Sequence, residues 1–404
     1  MGNKSTEKTL KGYTIVDFTT NISGPSATAI LSDLGANVIK IEKTTNGDDS
    51  RSMEPSFNGK SAYFVAINRG KTSLAIDIKS GDGRKIIEEL IRHADIMVEN
   101  YRKSTIESLK LDYPNVKKIN NKIIYASIRS YGTKGPFSNK PGYDAIIQAE
   151  TGIMSVNGNR NGKPSRVGVS VLDAGSAMWL SIGILNAIIN RERTGEGSQV
   201  STSLYETGLY WMNYYIQSYQ ITGNIPKRSG SEHMAFAPYG AFAAKDGYIM
   251  IGISNDNLFS RMCDALSIHK LANDSLFKTN KDRVKNRKKL NRILNSILIK
   301  QSKEYWIKKL SDRIVPCSAI KNVKEVLESE QTIALNPFQK IKENNLNLKI
   351  QSIPIEINGK HLSIDKSSPA LGEDTLSLLL ALGYNNEYIQ RLKSAGTIKD
   401  ALIN

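Results

Sequence analysis

The sequence is poor in the residues that form disulfides and metal sites. Its 404 residues include two cysteines, Cys263 and Cys317, which lie far apart and form no C-x-x-C pair. No two of the histidines have the spacing of zinc ligands, and they are His93, His233, His269 and His361. We therefore expect no metal site, no disulfide framework and a reducing, cytoplasmic location.

Long apolar runs and a signal-type start are also missing. Polar residues interrupt every stretch of eighteen residues, which predicts no membrane span and no membrane partner. The first residues, MGNKST, contain no apolar signal core. The composition, 40% hydrophobic and 23% charged, is typical of a globular protein, and the length favours two domains.

Acidic residues are outnumbered, and the formal net charge is +16. The densest basic run, from Lys278 to Lys309, is one possible nucleic-acid surface. Its apolar residues Leu290, Ile293 and Ile297 have helical spacing, which favours the solvated face of an amphipathic helix. We expect no nucleic-acid partner, and a basic surface also suits phosphate-bearing ligands. A non-catalytic basic binding protein stays open as an alternative.

The N-terminal half lacks the glycine pattern of a dinucleotide site. Short apolar strands are predicted at 13–19, 37–42, 72–78, 95–100 and 123–129, with helical patterns between them. This alternation predicts an α/β fold with a large doubly wound, Rossmann-like sheet. The loop after the first strand, NISGPSAT, has one glycine where G-x-G-x-x-G would be needed, which argues against a nicotinamide cofactor.

One carboxylate stands at the start of the longest apolar pattern. We predict a helix from Asp173 to Asn190, preceded by a strand-like run at 167–172 and stopped by Gly195. Asp173 is either an N-cap, whose carboxylate accepts a backbone hydrogen bond, or a nucleophile kept ionised by the positive helix end. Asp144, just after Tyr143, is expected to cap the helix of 145–151.

A linker rich in Gly, Lys, Pro and Ser, residues 222–231, indicates a domain boundary. The predicted domains are 1–221, a large α/β domain, 222–335, a smaller α+β domain with its linkers, and 336–404, a C-terminal segment. The smaller domain contains a predicted hairpin with its turn at Asp246-Gly247.

Several motifs resemble class III CoA-transferases, the CaiB/BaiF family that includes formyl-CoA and carnitine CoA-transferases. They are GYDAIIQAETG at 142–152, Gly162 with Pro164, Asp173, and the blocks at 10–42, 68–84 and 94–102. The resemblance implies an intertwined, ring-like homodimer in which the C-terminal segment returns to the large domain. It also implies that the large domain, 1–221, binds CoA, and that coenzyme A and acyl-CoA are substrates, with no prosthetic group.

The same resemblance implies the site residues. Asp173 would be the nucleophile and Tyr143 would orient a substrate carbonyl or carboxylate. The residues that would contact coenzyme A are Ser23, Lys43, Lys79, Asn100, Tyr101 and Arg102. Some positions depart from the family: Ile22 replaces a glutamine, Ser108 an arginine and Asp374 a histidine. A glycine run of the second domain is missing, and 233–239 is the loop expected to shield the site instead.

The expected reaction moves CoA from an acyl-CoA to a free carboxylic acid through an aspartyl anhydride and an aspartyl-CoA. An acyl-CoA racemase or epimerase of the same superfamily is the alternative within the family. That chemistry needs two acid–base groups, and Tyr143 stands where the racemases have a histidine. The sequence alone does not indicate which acids react.

Overall fold

The computed structural model describes residues 8–343 and 346–401, in which strands and helices alternate. The strands are β1 (Thr14–Asp17), β2 (Asn37–Glu42), β3 (Ser56–Phe57), β4 (Lys60–Ser61), β5 (Thr72–Ile76), β6 (Ile96–Glu99), β7 (Ile124–Arg129), β8 (Ser198–Ser203), β9 (Tyr239–Ala244), β10 (Gly247–Gly252), β11 (Cys317–Ala319), β12 (Phe338–Glu343), β13 (Leu346–Gln351), β14 (Glu356–Ile357), β15 (Lys360–His361) and β16 (Ile398–Lys399). The helices are α1 (Ser23–Asp33), α2 (Ala62–Ile67), α3 (Gly81–His93), α4 (Lys103–Ser108), α5 (Tyr113–Ile119), α6 (Asp144–Glu150), α7 (Ile153–Val156), α8 (Val171–Thr194), α9 (Leu204–Trp211), α10 (Asn213–Thr222), α11 (Asp256–Ala265), α12 (His269–Ala272), α13 (Asn280–Lys285), α14 (Arg287–Leu298), α15 (Lys303–Ser311), α16 (Val323–Leu327), α17 (Glu330–Leu335), α18 (Thr375–Ala381) and α19 (Asn386–Ser394), with a 3-10 turn at Asp49–Ser52.

The chain divides into two compact units. The first combines the residues up to 151 with 168–214 and the segment from 336 onward, and the second combines 152–167 with 215–335. The second unit therefore includes a short excursion from the middle of the predicted large domain. The longer segment of the second unit runs from 215 to 335.

A seven-stranded sheet forms the first unit, in the order β16-β5-β2-β1-β6-β7-β8. Neighbouring strands from β5 to β8 are parallel, and the last strand, β16, adds antiparallel to β5. The predicted α/β class with a mostly parallel sheet is confirmed. The five strands predicted in this half are all present, and β2 has the predicted bounds.

Both faces of this sheet are covered, because consecutive residues of its central strands are buried. Ile15 and Val16 of β1, which point to opposite faces, are both fully buried. One face packs against α3, α5, α18 and α19, whose apolar side chains form one core with the strands. The helices α1 and α8 pack against each other and against the sheet. The C-terminal segment thus contributes both a strand and helices to the first unit.

The helix α8 is buried on one side only. By length and composition it is apolar enough to cross a membrane, but half of its apolar stretch is buried inside the fold. That side packs against α1, α9, β7 and β8, with Leu180 and Ile184 fully buried. Met178, Ile182 and Ile189 lie on the other side and are about half exposed. The nearly continuous apolar pattern of α8 is therefore not matched by burial on every side.

The second unit is built on a three-stranded antiparallel sheet in the order β11-β10-β9. Its apolar core is formed by the sheet together with α11, α14 and α15. The predicted hairpin is present as β9 and β10, and Lys245 and Asp246 form its turn. Leu290, Leu294 and Leu298 of α14 are fully buried at helical spacing, which confirms the amphipathic interpretation of this basic segment.

Candidate active site

A cavity of about 440 Å³ opens at the carboxyl ends of β1, β6 and β7, within the first unit. The chain leaves β1 toward one side of the sheet and β6 toward the other, so a crevice forms between the two loops. The lining residues come from 20–23, 100–102, 128–130 and 138–143, with Met53, Thr105, Asp173 and Leu204. This is the part of a doubly wound sheet where ligands are expected.

Asp173 lies in the wall of this cavity, in the first turn of α8. The helix begins at Val171, two residues before the predicted start, and its N-cap is Ser170. The run predicted to be strand-like is loop up to that residue. Asp173 is thus inside the helix, and its side chain lines the cavity together with that of Ser23.

The carboxylate of Asp144, and not that of Asp173, accepts hydrogen bonds at the N-terminus of α8. Asp144 is 6% exposed, and its Oδ2 accepts hydrogen bonds from the backbone N–H groups of Leu172, at 2.7 Å, and Asp173, at 3.2 Å. Its other oxygen accepts from the amide of Gln148. The predicted capping role of Asp144 in its own helix is wrong, because α6 has no side-chain cap and the carboxylate caps α8 instead.

Burial and the neighbouring carboxylate of Asp144 determine the charge state of Asp173. The pKa of its carboxyl is raised to about 7, first by burial and then by the negative charge of Asp144, whereas the hydrogen bond from Ser23 acts in the opposite direction. The positive end of α8 therefore does not keep Asp173 fully ionised, since Asp144 binds the free N–H groups there. The N-cap interpretation of Asp173 is wrong for the same reason.

Tyr143 directly precedes Asp144 in the chain and also lines the cavity. It is the N-cap residue of α6, and 74% of its surface is exposed. An exposed phenol at the mouth of a cavity is free to donate a hydrogen bond to a ligand.

Four of the six predicted CoA-contacting residues line the cavity, namely Ser23, Asn100, Tyr101 and Arg102. The side-chain oxygen of Asn100 accepts from the backbone N–H of Thr20 at 2.9 Å, and its nitrogen donates to the carbonyl of Thr20 at 2.8 Å. The structure does not bring Lys43 and Lys79 to the lining. Both are exposed, and Lys43 lies 3.7 Å from the carboxylate of Asp49.

Two cations of this cavity, Arg129 and Lys140, were not among the residues predicted from the sequence. Arg129 ends β7 and forms an ion pair with Glu99, with Nη2 at 2.5 Å from Oε1. Lys140 lies 4.5 Å from the ring centre of Phe137. Arg129 ends a predicted strand, so the expectation that ligands bind at strand ends would have identified it. Lys140 lies two residues before the quoted motif and carried no signal of its own.

The raised pKa of Asp173 predicts that Asp173→Asn stabilises the protein above neutral pH. When the pKa of a carboxyl is higher in the folded protein than in the unfolded chain, the free energy of unfolding falls as the pH rises from the unfolded pKa near 4 to the folded pKa of about 7. It falls because the folded protein holds the proton more tightly and must still give it up. An amide removes this cost. We expect about 2 kcal/mol more stability for the variant at pH 8 and no gain near pH 4, measured by denaturant unfolding.

Asp17→Asn is the matched control, since Asp17 is also buried. Burial acts to raise its pKa, but the ammonium groups of Lys71 and Lys40 outweigh that effect and hold the pKa below its usual value. This variant should lose about 3 kcal/mol near neutral pH. Equal stability of Asp173→Asn and the parent protein at every pH would contradict the proposed electrostatics.

The chain is similar to known proteins over nearly its whole length. The sequence matches the family described as CoA-transferase family III over residues 10–375. It is 34% identical to the human succinyl-CoA:glutarate CoA-transferase, with 97% of this chain and 90% of that protein covered. It is 36% identical to the acetyl-CoA:oxalate CoA-transferase of Acetobacter aceti, with 86% and 89% covered. The crystal structure of a CaiB/BaiF family protein from Brucella suis superposes with a TM-score of 0.85 at 32% identity, covering 93% of this chain and all of that one.

The two relatives are named for a reaction, and the match extends over nearly the whole chain. The alternative of a non-catalytic basic binding protein is therefore wrong, and CoA thioesters are the substrates that this group of proteins shares. The chain belongs to CoA-transferase family III and is a class III CoA-transferase.

Proposed function

We propose that this enzyme transfers CoA between an acyl-CoA and a short dicarboxylic acid, with Asp173 as the nucleophile. The observation that carries the mechanism is the Asp173 carboxylate itself, which faces a cavity at the ligand-binding end of the sheet and leaves the helix N–H groups to Asp144. The acid class is supported by the relatives, whose names specify succinate, glutarate and oxalate.

The first half of the reaction loads CoA onto the enzyme. An oxygen of Asp173 attacks the thioester carbonyl carbon, the C–S bond breaks, and CoA leaves as a thiolate from a mixed anhydride. The thiolate then attacks the Asp173 carbonyl carbon, and the donor acid leaves with the bridging oxygen. The product is an aspartyl-CoA thioester.

The second half repeats these steps in reverse with the acceptor. A carboxylate oxygen of the acceptor attacks the aspartyl-CoA carbonyl and releases the CoA thiolate. The thiolate attacks the acyl carbon of the new anhydride, so the acceptor leaves as its thioester and Asp173 is restored as a carboxylate. The acceptor has given one oxygen atom to Asp173.

The surroundings of Asp173 suit this chemistry. A carboxylate with a pKa near 7 is a stronger base, and so a stronger nucleophile, than an ordinary aspartate, yet much of it is ionised at neutral pH. The Ser23 hydroxyl orients one of its oxygens, and the exposed Tyr143 hydroxyl is available to the substrate carboxylate. Arg102 and Lys140 are the lining cations that would meet CoA phosphates or a second carboxylate.

These surroundings do not favour a racemase. Proton removal and return at the α-carbon require two acid–base groups, and the phenol of a tyrosine side chain is by its chemistry a poor general base. The residues that line the cavity include no histidine.

The acid class is tested by comparing acids of matched length. We expect kcat/KM for glutarate to exceed that for valerate by at least about tenfold with the same acyl-CoA donor, because a second carboxylate gains a charge-assisted hydrogen bond. New thioesters are followed by mass spectrometry. A preference for valerate would contradict the dicarboxylic class while leaving CoA transfer intact, whereas no transfer to any acid would contradict the proposed function.

The nucleophile is tested by trapping. When the enzyme is incubated with a donor acyl-CoA and hydroxylamine, we expect Asp173 to become the hydroxamate, because both proposed intermediates carry an activated aspartyl carbonyl. Asp173→Asn should lower kcat by at least about 10³-fold, once deamidation to Asp is excluded by mass spectrometry. Asp144→Asn is the control and should still be labelled at position 173. Labelling at Asp144, or an active Asp173→Asn enzyme, would contradict the mechanism.

A homodimer is part of the proposal. The outer face of α8 exposes Met178, Ile182 and Ile189, and none of the residues of α10 is buried within the chain. Exposed apolar side chains such as those of α8 favour contact with a second copy. Light scattering should give twice the chain mass of 44.7 kDa at low and high salt. Ile182→Glu with Ile189→Glu should impair this assembly, and the mass of a single chain for the parent protein would contradict it.

A further inference from the structure

The loop between β1 and α1 is held by side chains of β1 and β2 and of the loops that follow β2 and β6. Its residues Thr19, Thr20 and Asn21 lead to Ser23, which begins α1 and lines the cavity together with Asp173. Asn21 adopts a left-handed backbone conformation with φ of 64°, which is unfavourable for most residues with a side chain. A loop in this conformation needs specific partners to keep its shape.

Lys40 and Asp48 bind the two ends of this loop. The Nζ atom of Lys40 donates to the backbone carbonyl of Thr19 at 2.8 Å, and Oδ1 of Asp48 accepts from the backbone N–H of Asn21 at 3.1 Å. The two side chains form an ion pair at 2.7 Å, and both are completely buried. Neither charge is therefore in contact with solvent.

Two further side chains complete the set. Asp17 accepts from the backbone N–H of Thr19 at 2.9 Å, and Asn100 binds both the N–H and the carbonyl of Thr20. Every backbone polar group from the N–H of Thr19 to the N–H of Asn21 thus has a side-chain partner. Side chains that replace secondary structure in this way fix a loop much as a β-sheet fixes a strand.

Burying an ion pair is a costly way to hold a loop unless its geometry has a purpose. A buried pair often contributes no more stability than two well-packed apolar side chains would. Burial acts to lower the pKa of Lys40, but the carboxylates of Asp48, Asp17 and Glu42 outweigh it and the pKa stays above its usual value. Both partners are therefore charged near neutral pH, and what they supply is directed hydrogen bonding to Thr19 and Asn21.

We propose that the Lys40–Asp48 ion pair is a positioning device for catalysis, which holds the Thr19–Asn21 loop so that Ser23 meets the Asp173 carboxylate. The proposal rests on the proposed role of Asp173 as nucleophile. Lys40 and Asp48 are positioning residues, since they act through Ser23. The charge that acts on the pKa of Asp173 is that of Asp144, whose hydrogen bonds go to Gln148 and to the start of α8.

The test replaces the ion pair by apolar residues, as Lys40→Met with Asp48→Leu. The matched control is Arg69→Met with Asp33→Leu, a buried ion pair of the same unit at 2.5 Å whose residues do not line the cavity. Both exchanges remove two opposite charges, so any general loss of stability is shared. Lys40→Arg, which keeps a charged donor, is the conservative variant.

Hydrogen–deuterium exchange provides a readout that does not depend on activity. In the Lys40→Met/Asp48→Leu protein, the amides of residues 18–24 should exchange at least about tenfold faster, because their acceptors are lost or displaced. The control exchange should leave this segment protected. Equal protection of the segment in the two double variants would overturn the proposal, whether or not the enzyme's substrates are known.

Kinetics provide the second readout. We expect kcat to fall about 10- to 100-fold in the Lys40→Met/Asp48→Leu enzyme, as for a small misplacement of a reacting group, and the acid limb of kcat/KM to move to higher pH. In a Ser23→Ala background the same exchange should cost less than about twofold, because the positioned group is already absent. Lys40→Arg should retain most of the activity, and the control exchange should change neither kcat nor the pH profile.

Two outcomes would contradict the proposal, namely kinetics that match those of the control exchange, or full additivity with Ser23→Ala. If the double variant does not fold, Asp48→Asn is used with the same two readouts, since it keeps an oxygen acceptor for Asn21 and removes the charge. A parent enzyme without CoA-transfer activity would contradict the proposed function alone, and the exchange experiment would still decide the positioning role of the pair.

Discussion

The carboxylates of Asp144 and Asp173 lie at the first turn of α8, and the site depends on which of them binds the free N–H groups of the helix. Asp144 takes the backbone N–H groups of Leu172 and Asp173, which is the place where a helix end stabilises negative charge. Asp173 is left with burial and a like charge, and these raise its pKa to about 7. One carboxylate is stabilised as an anion by the helix, and the other is kept basic and directed into the cavity.

The sheet explains why these groups and the ligand loops come together. The strand order reverses direction between β1 and β6, so their loops form a crevice at the carboxyl edge of the sheet. The loop after β1 leads to Ser23, the loop after β6 contributes Asn100, and α8 brings Asp173 to the same edge. The buried charges of Asp17, Lys40 and Asp48 lie beneath that edge and fix the backbone of the first loop. The chemistry proposed for Asp173 takes place at the wall of the cavity, whereas buried side chains behind that wall hold the loop that leads to Ser23.

Local patterns were sufficient for the sheet, because each central strand is a short apolar run with a clear boundary. They were sufficient for Asp173 as a candidate, since it opens a long apolar helix. They could not show that Asp144 caps that helix, because the two residues are 29 positions apart and the contact depends on how α6 packs against α8. The same limit applies to Lys43 and Lys79, which follow strands in sequence but do not line the cavity. The alternation of strands and helices indicates which edge of a sheet binds ligands, whereas the direction of each side chain at that edge is determined by tertiary packing.

The central claim is that an oxygen atom passes between the substrate acid and Asp173. Its most direct test is turnover with an acceptor acid labelled with ¹⁸O in its carboxylates, followed by mass spectrometry of the peptide that contains Asp173. The account predicts one ¹⁸O atom in the Asp173 carboxyl after a single turnover, because the acceptor leaves one oxygen there when its thioester forms. Formation of the labelled acid's thioester without ¹⁸O at Asp173 would contradict it.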